Sequence, residues 1–244
     1  MPPRRVPPPF PGLTAYDFAL FERDKWRSSN YDEGRLALKR KLATIGKRID
    51  SDFASRGIPL EHKTSVHNPC AFNSGQVRML KVYFARSKAA RAALKSVLGP
   101  ALSGELDPHY HNLQLWAKVD AAGLELALAV HPQAWWDGQH LVKLVQAREG
   151  RLALCAVLNP LTEYGLQVAE YALHPCAGIY ADDLARIVKT YRVGDDWLFV
   201  RRVLGVEHCV ALGPALADEI ARELDRLVPL YQRVAWSPEP APTS

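Results

Sequence analysis

The sequence lacks the features that place a protein in a membrane or on the secretory route. It has no run of about 18 apolar residues, so we expect no transmembrane helix. The first residues include two arginines but no apolar segment, unlike a secretion signal or twin-arginine leader. The four cysteines are widely spaced, without a Cys-x-x-Cys pair, which favours a reducing compartment. We therefore expect a cytoplasmic protein without a membrane partner.

Motifs of the common enzyme classes are also missing. The sequence has no Gly-x-Gly-x-x-Gly, no Gly-x-x-x-x-Gly-Lys-Ser/Thr, no His-Glu-x-x-His, no Gly-x-Ser-x-Gly and no EF-hand loop. These absences argue against nucleotide hydrolysis, Rossmann redox chemistry and serine-hydrolase chemistry. They leave open whether the protein is an enzyme.

The composition is that of a soluble globular protein. The chain has 244 residues, of which 48% are hydrophobic and 23% charged, and such a chain buries a sizeable core without disulfides or metals. Residues 1–12 include six prolines, and residues 237–244 are rich in proline and small residues. We expect both ends to be disordered tails. No linker or repeat divides residues 13–236, which predicts a single domain.

Positive charge is concentrated in the first part of the chain. The formal net charge is +5, made up of +11 over residues 1–104 and −6 over residues 105–244. This asymmetry suggests a polyanion or an acidic protein as the partner of the basic half. The alternative is intramolecular, with the basic half facing the acidic half of the same chain.

Two helices are predicted before the first strand. A short one covers Tyr16 to Lys25. A long one opens at Asn30-Tyr-Asp-Glu33, which resembles a capping box, and ends near Arg56 before a glycine. Its apolar stripe consists of Leu38, Leu42, Ile45, Ile49 and Phe53.

The next segment carries most of the candidate basic residues. Alternation predicts a strand over Val77 to Arg86, and Ser87 is a suitable N-cap for a helix that ends near Leu98. Because Lys88, Arg91 and Lys95 follow helical spacing, we expect them to form one basic ridge. The candidate contacts with an anionic partner are Arg78, Lys81, Arg86, Lys88, Arg91 and Lys95.

A hairpin is the strongest local prediction. Residues 111–119 and 124–131 both alternate, and Asp120-Ala-Ala-Gly123 forms the turn between them. If paired positions sum to about 243, both strands place leucines and valines on one face. Lys118 then lies opposite Glu125, a favourable cross-strand pair.

The rest of the chain is predicted to supply further strands and helices. The predictions are a loop over 132–138, helices over 140–148, 182–191 and 214–233, and strands over 152–158, 166–173 and 197–203. In the last helix, Pro229 is expected to cause a kink or an early end. The fold class is α+β, with a mixed or antiparallel sheet of about five to six strands flanked by helices.

Three segments support a family resemblance. These are Asp17-Phe18 in the first helix, the basic helix over 35–53, and His109-Tyr-His-Asn-Leu-Gln-Leu-Trp116. In this order they resemble the YktB-like family of bacterial proteins, over about residues 14–146. The chain departs from that family where a basic, His-rich stretch would precede the hairpin. The resemblance implies an α/β fold and supplies no activity or catalytic residues.

Aromatic and amide side chains form the first candidate site. Such side chains can stack on a base or sugar and hydrogen-bond to its edge. We expect a ligand cleft on the polar face of the hairpin, beside a double tryptophan in the following loop. With His131 nearby, the candidate residues are Asn112, Gln114, Trp116, Trp135 and Trp136. The alternative is that a helix covers this face and the tryptophans belong to the core.

Histidines form the second candidate site. His109 and His111 would lie on one strand face, with His131, Asp137 and His140 following along the chain. Two or three histidines with a carboxylate could bind zinc or iron. Hydrogen-bonded surface histidines are the ordinary alternative. Three cysteines also have a histidine nearby, although without zinc-finger spacing, and core packing explains buried cysteines.

Two functional hypotheses follow. The first is a non-catalytic binding or assembly module without a cofactor, whose basic half contacts nucleic acid or an acidic protein partner, as in a subunit of a larger complex. The second is a metal-dependent enzyme with its site at or beside the 111–131 hairpin. Steep salt dependence of nucleic acid binding would favour the first, and a tightly bound metal the second.

Overall fold

A seven-stranded antiparallel sheet forms the centre of the computed structural model, which describes residues 9–98, 104–106 and 108–238. The order across the sheet is β1-β2-β3-β4-β7-β5-β6. The strands are β1 Leu60–Thr64, β2 Leu80–Arg86, β3 Gln114–Asp120, β4 Gly123–Val130, β5 Gly165–Val168, β6 His174–Pro175 and β7 Leu198–Leu204. The single-domain α+β class is confirmed, with at least one strand more than expected.

Eight α-helices accompany the sheet in the described residues. They are α1 Ala15–Ala19, α2 Asp32–Ser55, α3 Lys88–Leu98, α4 Trp135–Gln146, α5 Arg148–Leu158, α6 Ala181–Val188, α7 Val206–Leu212 and α8 Leu216–Val234. The long basic helix is confirmed as α2, and its predicted apolar stripe is buried. None of these helices combines the length and the apolar character that crossing a membrane requires.

The predicted hairpin is confirmed with its register. Strands β3 and β4 pair Gln114 with Ala129 and Lys118 with Glu125, so each pair sums to 243. Gly123 closes the turn with a φ of +145°, a conformation that L side chains rarely adopt. A Cβ there would also lie 2.2 Å from the backbone oxygen of Leu204. Both reasons require glycine at this position.

The largest error of the sequence prediction lies between residues 148 and 158. The apolar run Leu152 to Leu158 was expected to be a strand, but it belongs to helix α5. Only Leu154, Cys155 and Leu158 are buried in this helix, at helical spacing. A short apolar run is compatible with a strand or a helix. Packing against α4 and α6 stabilises the helix here.

Smaller differences concern the limits of elements. Helix α1 is shorter than expected, and the predicted last helix is preceded by a separate helix, α7. Pro229 lies inside α8 and does not end it. At the N-terminus, Phe10 is buried in the core, so part of the expected 1–12 tail is packed. Residues 1–8 and 239–244 lie outside the described residues.

The two faces of the sheet differ in what covers them. Residues of even number on β2 and β4, such as Leu80, Val82 and Leu126, join one large core with α2, α4–α6 and α8. On the opposite face, Trp116, Ala127 and Ala129 form a separate small cluster. Tyr83, Trp197 and Phe199 border this cluster, and no apolar helical side chain of the described residues packs against it. We call the two sides the covered face and the open face.

Candidate ligand cleft on the open face

A cleft of about 730 Å³ lies on the open face. Its floor includes Lys81, Tyr83 and Gln114 from strands β2 and β3. The loop between β1 and β2 forms one wall, where Phe72 is 89% exposed. The opposite wall is formed by Tyr110, His131, Gln133 and Trp197. We call this cavity the sheet-face cleft, and its volume is that of a typical small-ligand site.

The charge of the sheet-face cleft is one-sided. Its lining contains the cations Lys81 and Arg78, whereas no Asp or Glu occurs among the described lining residues. Amide groups of Asn73, Gln76 and Gln114 supply hydrogen-bonding capacity. A cleft with cations, rings and amides but without carboxylates suits an anionic ligand that carries flat groups.

Lys81 is the central charged group of the cleft. Its Nζ lies 4.0 Å from the centre of the Trp116 ring and 5.0 Å from that of Tyr83. It donates a hydrogen bond of 3.1 Å to Oε1 of Gln114 and forms no ion pair within the described part of the chain. Burial, reinforced by the neighbouring charge of Lys118, lowers the pKa of Lys81 to about 7.

A second cavity of about 420 Å³ adjoins the first and shares Met79, Lys81 and Trp197 with it. Most of its polar contacts are made by Glu125. That carboxylate accepts hydrogen bonds from Trp116 and Arg201, both at 2.9 Å, and pairs with Lys118 at 3.1 Å. Burial opposes the charge of Glu125, but these partners outweigh it and lower its pKa. Glu125 therefore pairs with Lys118 and Arg201 and forms no ion pair with Lys81, although its charge still acts to raise the pKa of Lys81.

The candidate metal ligands do not meet. His109 and His111 lie in a 3-10 turn before β3, so the expected strand face does not exist. His109 packs on Tyr83, whereas His131 packs on Trp197 and Tyr110. No group of three or more His, Cys, Asp or Glu residues in the described ranges could hold a metal ion. The predicted zinc or iron site of His109, His111 and His131 is therefore corrected.

Two of these histidines, the buried His109 and the half-buried His131, nevertheless have lowered pKa values. Burial, followed by the charge of Lys81, lowers the pKa of His131 to about 4. Burial, followed by the charges of Lys63 and Arg91, lowers the pKa of His109 to about 4 as well. Both imidazoles are therefore neutral at pH 7, and neither adds positive charge to the cleft.

Arg86 and Asp137 belong to the interior and not to a binding surface. Arg86 lies on the covered face and donates hydrogen bonds to Asp137 Oδ1 and Oδ2 at 2.5 and 2.9 Å. It also donates to Asn112 and to the backbone oxygen of Trp236. The backbone amides of Leu113 and Trp236 donate to Asp137, each at 2.7 Å. We call these groups the Arg86 cluster, and they leave Asp137 no role as a metal ligand.

The other basic candidates are dispersed. Arg78 lines the sheet-face cleft and lies over the ring of Trp26. Arg91 is buried, and its guanidinium donates to Glu61 and to the backbone oxygen of Arg86. The expected exposed ridge of Lys88, Arg91 and Lys95 is therefore wrong at its central residue. Reversal of the Arg91 charge would disturb the interior, so that substitution does not test binding.

The tryptophan pair lies elsewhere than expected. Trp135 and Trp136 begin helix α4 and do not lie in a loop. Their ring centres are 5.0 Å apart, and Trp136 packs on Trp236 at 4.9 Å. They line a separate groove of about 910 Å³ near the last described residues. The double tryptophan therefore does not border the sheet-face cleft. The tryptophan that lines this cleft is Trp197.

The charge asymmetry is partly resolved within the chain. Arg56, directly after α2, pairs with Asp225 of α8 at 2.5 Å, and Arg48 of α2 pairs with Asp218 of α8. Arg86 of the basic half likewise forms an ion pair with Asp137 of the acidic half. The intramolecular alternative therefore accounts for some of the positive charge of the first half. Lys81 remains outside these pairs.

Sequence reasoning missed several contributors to the cleft, among them Tyr83, Tyr110, Trp197 and Phe72. Tyr83 alternates with Lys81 on the predicted strand 77–86, and Trp197 alternates with Phe199 on the predicted strand 197–203, so the sequence contained both patterns. Their position beside Trp116 depends on the pairing of β2 and β7 with the hairpin, which is not local information. The exposed Phe72 lies in a single 3-10 turn between β1 and β2, and the sequence gave no periodic signal for it.

Comparison with known proteins adds no assignment. No model of a protein family matches the chain, and a search of the curated proteins found no match. The resemblance to the YktB-like family therefore stays a prediction that rests on its three short segments.

Proposed function

We propose that this protein binds single-stranded nucleic acid in the sheet-face cleft. The observation that carries the proposal is the lining itself, which combines aromatic rings, amides and two cations and contains no described carboxylate. Single strands are bound by stacking of bases on aromatic side chains and by cations that attract the phosphates. A double helix does not expose its base faces for such stacking.

The open sheet is a suitable platform for this mode of binding. Tyr110 is 40% exposed and contacts His131, so its ring offers a stacking surface at the cleft wall. Lys81 lies at the floor, where it would attract a phosphate, since its hydrogen bond goes to an uncharged amide and the described residues offer it no ion pair. An acidic protein partner would use the same cations, but the rings and amides favour bases.

The cysteines support a cytoplasmic location for this function. All four are free, and three of them are buried.

Salt-dependent titration of oligonucleotides tests the proposal. We expect a fluorescently labelled single strand to bind, and its affinity to fall steeply between about 50 and about 200 mM salt. Lys81→Met should weaken binding to all sequences and reduce the slope of log K against log salt by about 1. Tyr110→Leu should remove about 1–3 kcal/mol of stacking.

Two controls make the titration specific. Lys47→Met removes an exposed lysine of α2, a helix that packs on the covered face, and should leave binding unchanged. A duplex of the same sequence should bind more weakly than the single strand. Absence of single-strand binding at low salt would overturn the proposal, as would equal binding by the Lys81→Met variant.

A further inference from the structure

Helix α4 and the end of α8 border a groove of about 910 Å³, apart from the sheet-face cleft. Trp135, Trp136 and Trp236 line it, and we call it the tryptophan groove. We propose that this groove is a docking site for acidic, proline-rich sequence, and that its occupant is the segment 239–244 of the same chain, Glu-Pro-Ala-Pro-Thr-Ser. The inference does not depend on nucleic acid binding.

The rings of the groove suit a segment in the polyproline II conformation. The ring centres of Trp135 and Trp236 lie 5.0 and 4.9 Å from that of Trp136. The indole N–H groups of these three residues donate no hydrogen bond within the described part of the chain, whereas those of Trp26 and Trp116 do. A polyproline II segment has no internal hydrogen bonds, so its carbonyl groups can accept from such donors. Aromatic-lined grooves recognise proline-rich sequences in this conformation.

The charge of the groove selects an acidic segment. Its lining contains Lys143 and Arg233, and no Asp or Glu occurs among the described lining residues. Neither cation forms an ion pair within the described ranges. Of the two proline-rich ends, residues 1–8 carry two arginines and no carboxylate, whereas residues 239–244 carry a glutamate and no cation. Charge complementarity therefore favours the second segment.

Position separates the two ends in the same way. Gly12 lies at the start of α8, where a Cβ added to it would be 2.8 Å from the carbonyl carbon of Gly213. Ser237 and Pro238 follow the end of α8 and line the tryptophan groove. The 19 residues of α8 span about 28 Å. The segment that continues from Pro238 therefore starts in the groove, whereas Gly12 lies at the far end of the helix.

The reach of the segment matches the place of the cations. Trp136, His140 and Lys143 occupy positions i, i+4 and i+7 of α4, so they share one face. Seven helical residues place Lys143 about 10 Å beyond Trp136. Trp236 packs on Trp136, and three residues of polyproline II take the chain about 9 Å onward, to Glu239. Along this path the Glu239 carboxylate would reach the ammonium group of Lys143.

Photo-crosslinking in the full chain tests the docking. The photoreactive residue p-benzoylphenylalanine replaces Ala241, and irradiated protein is analysed by peptide mass spectrometry. An equal amount of ¹⁵N-labelled chain without the probe is present, so an adduct between copies has a heavy acceptor peptide. We expect adducts on α4 of the same copy. Adducts only between copies, or only on peptides outside the groove, would overturn the proposal.

Charge exchange tests the contact with Lys143. Glu239→Lys should lower the yield of the α4 adduct at least about twofold, because like charges then face each other. Lys143→Glu should have the same effect, and the double variant should recover the parent yield. Lys47→Glu changes an exposed lysine of α2 and is the matched control, which should leave the yield unchanged. Equal yields in all these variants would contradict the contact.

The indole N–H signals in a ¹⁵N NMR spectrum give a second measurement without a photoprobe. Glu239→Lys should shift the signals of the three groove tryptophans. The signals of Trp26 and Trp116 are internal controls, because both indoles already donate within the fold. Unchanged groove signals would overturn the proposal, as would shifts of equal size in the controls.

Discussion

Strand β2 carries two cations on opposite faces of the sheet, the buried Arg86 and the half-buried Lys81. Their surroundings differ. Arg86, on the covered face, has both oxygens of Asp137, an amide oxygen and a backbone oxygen as partners. Lys81, on the open face, has two rings and one amide oxygen. The comparison separates a cation that connects elements of the fold from one that is available to a ligand.

The two environments shift the pKa values in opposite directions. Burial opposes the charge of Arg86, but Asp137 outweighs it and raises the pKa. Burial and Lys118 together lower the pKa of Lys81. Arg86 is therefore a permanent charge that depends on its partner, whereas Lys81 can exist as a neutral amine near pH 7. Substitutions that break the Arg86–Asp137 pair should lower the stability of the fold, whereas substitutions of Lys81 should lower ligand binding.

Asp137→Asn should give the largest effect on stability. The substitution leaves the Arg86 guanidinium buried without its counter-ion, which costs about 3–5 kcal/mol in comparable buried pairs. We expect a loss of that order in the free energy of unfolding, measured with a chemical denaturant. Lys81→Met is the matched control and should change it by less than about 1 kcal/mol, because no ion pair is broken. Equal losses would remove the distinction between the two sites.

A smaller effect concerns the acid side of the stability profile. The pKa of His131 is lowered from 6.5 to about 4, so the unfolded chain binds its proton first as the pH falls. The stabilising contribution is complete above about pH 6.5 and is lost as the pH falls towards about 4. His131→Gln should reduce the slope of unfolding free energy against pH in that window.

NMR titration can assign part of this shift to Lys81. Because the charge of Lys81 contributes to the lowered pKa of His131, Lys81→Met should raise that pKa. His109 is an internal control, since its shift depends on burial, Lys63 and Arg91. Parallel changes in both histidines would indicate a general structural response and contradict a direct effect of Lys81.

The smallest effect is expected at Lys88, on the exposed side of α3. This lysine belongs to the predicted ridge but lies outside the lining of the sheet-face cleft. Lys88→Ser should change the free energy of unfolding by less than about 0.5 kcal/mol. Its oligonucleotide affinity should stay within about twofold of the parent. A loss of oligonucleotide affinity as large as that of Lys81→Met would indicate that the ridge of Lys88, Arg91 and Lys95 takes part in binding.

Local patterns predicted those elements whose own residues specify them. The hairpin followed from alternation in both strands and from a turn that ends in glycine, and α2 followed from its apolar stripe. The strand predicted over residues 152–158 was wrong because a short apolar run fits a strand or a helix equally well. Among the candidate site residues, Lys81, Gln114 and Trp116 share one neighbourhood, whereas Trp135 and Trp136 line a different groove.

The sequence by itself determined the α+β class, the hairpin register and the excess of positive charge before residue 105. Only the tertiary structure decided which cations are neutralised. Arg86 and Lys81 are five residues apart on one strand, and their residue types do not distinguish them. Asp137 and the rings around Lys81 reach them through long-range pairing and helix packing. The local solvation and counter-charge that follow from this packing decide whether a lysine or arginine supports the fold or faces a ligand.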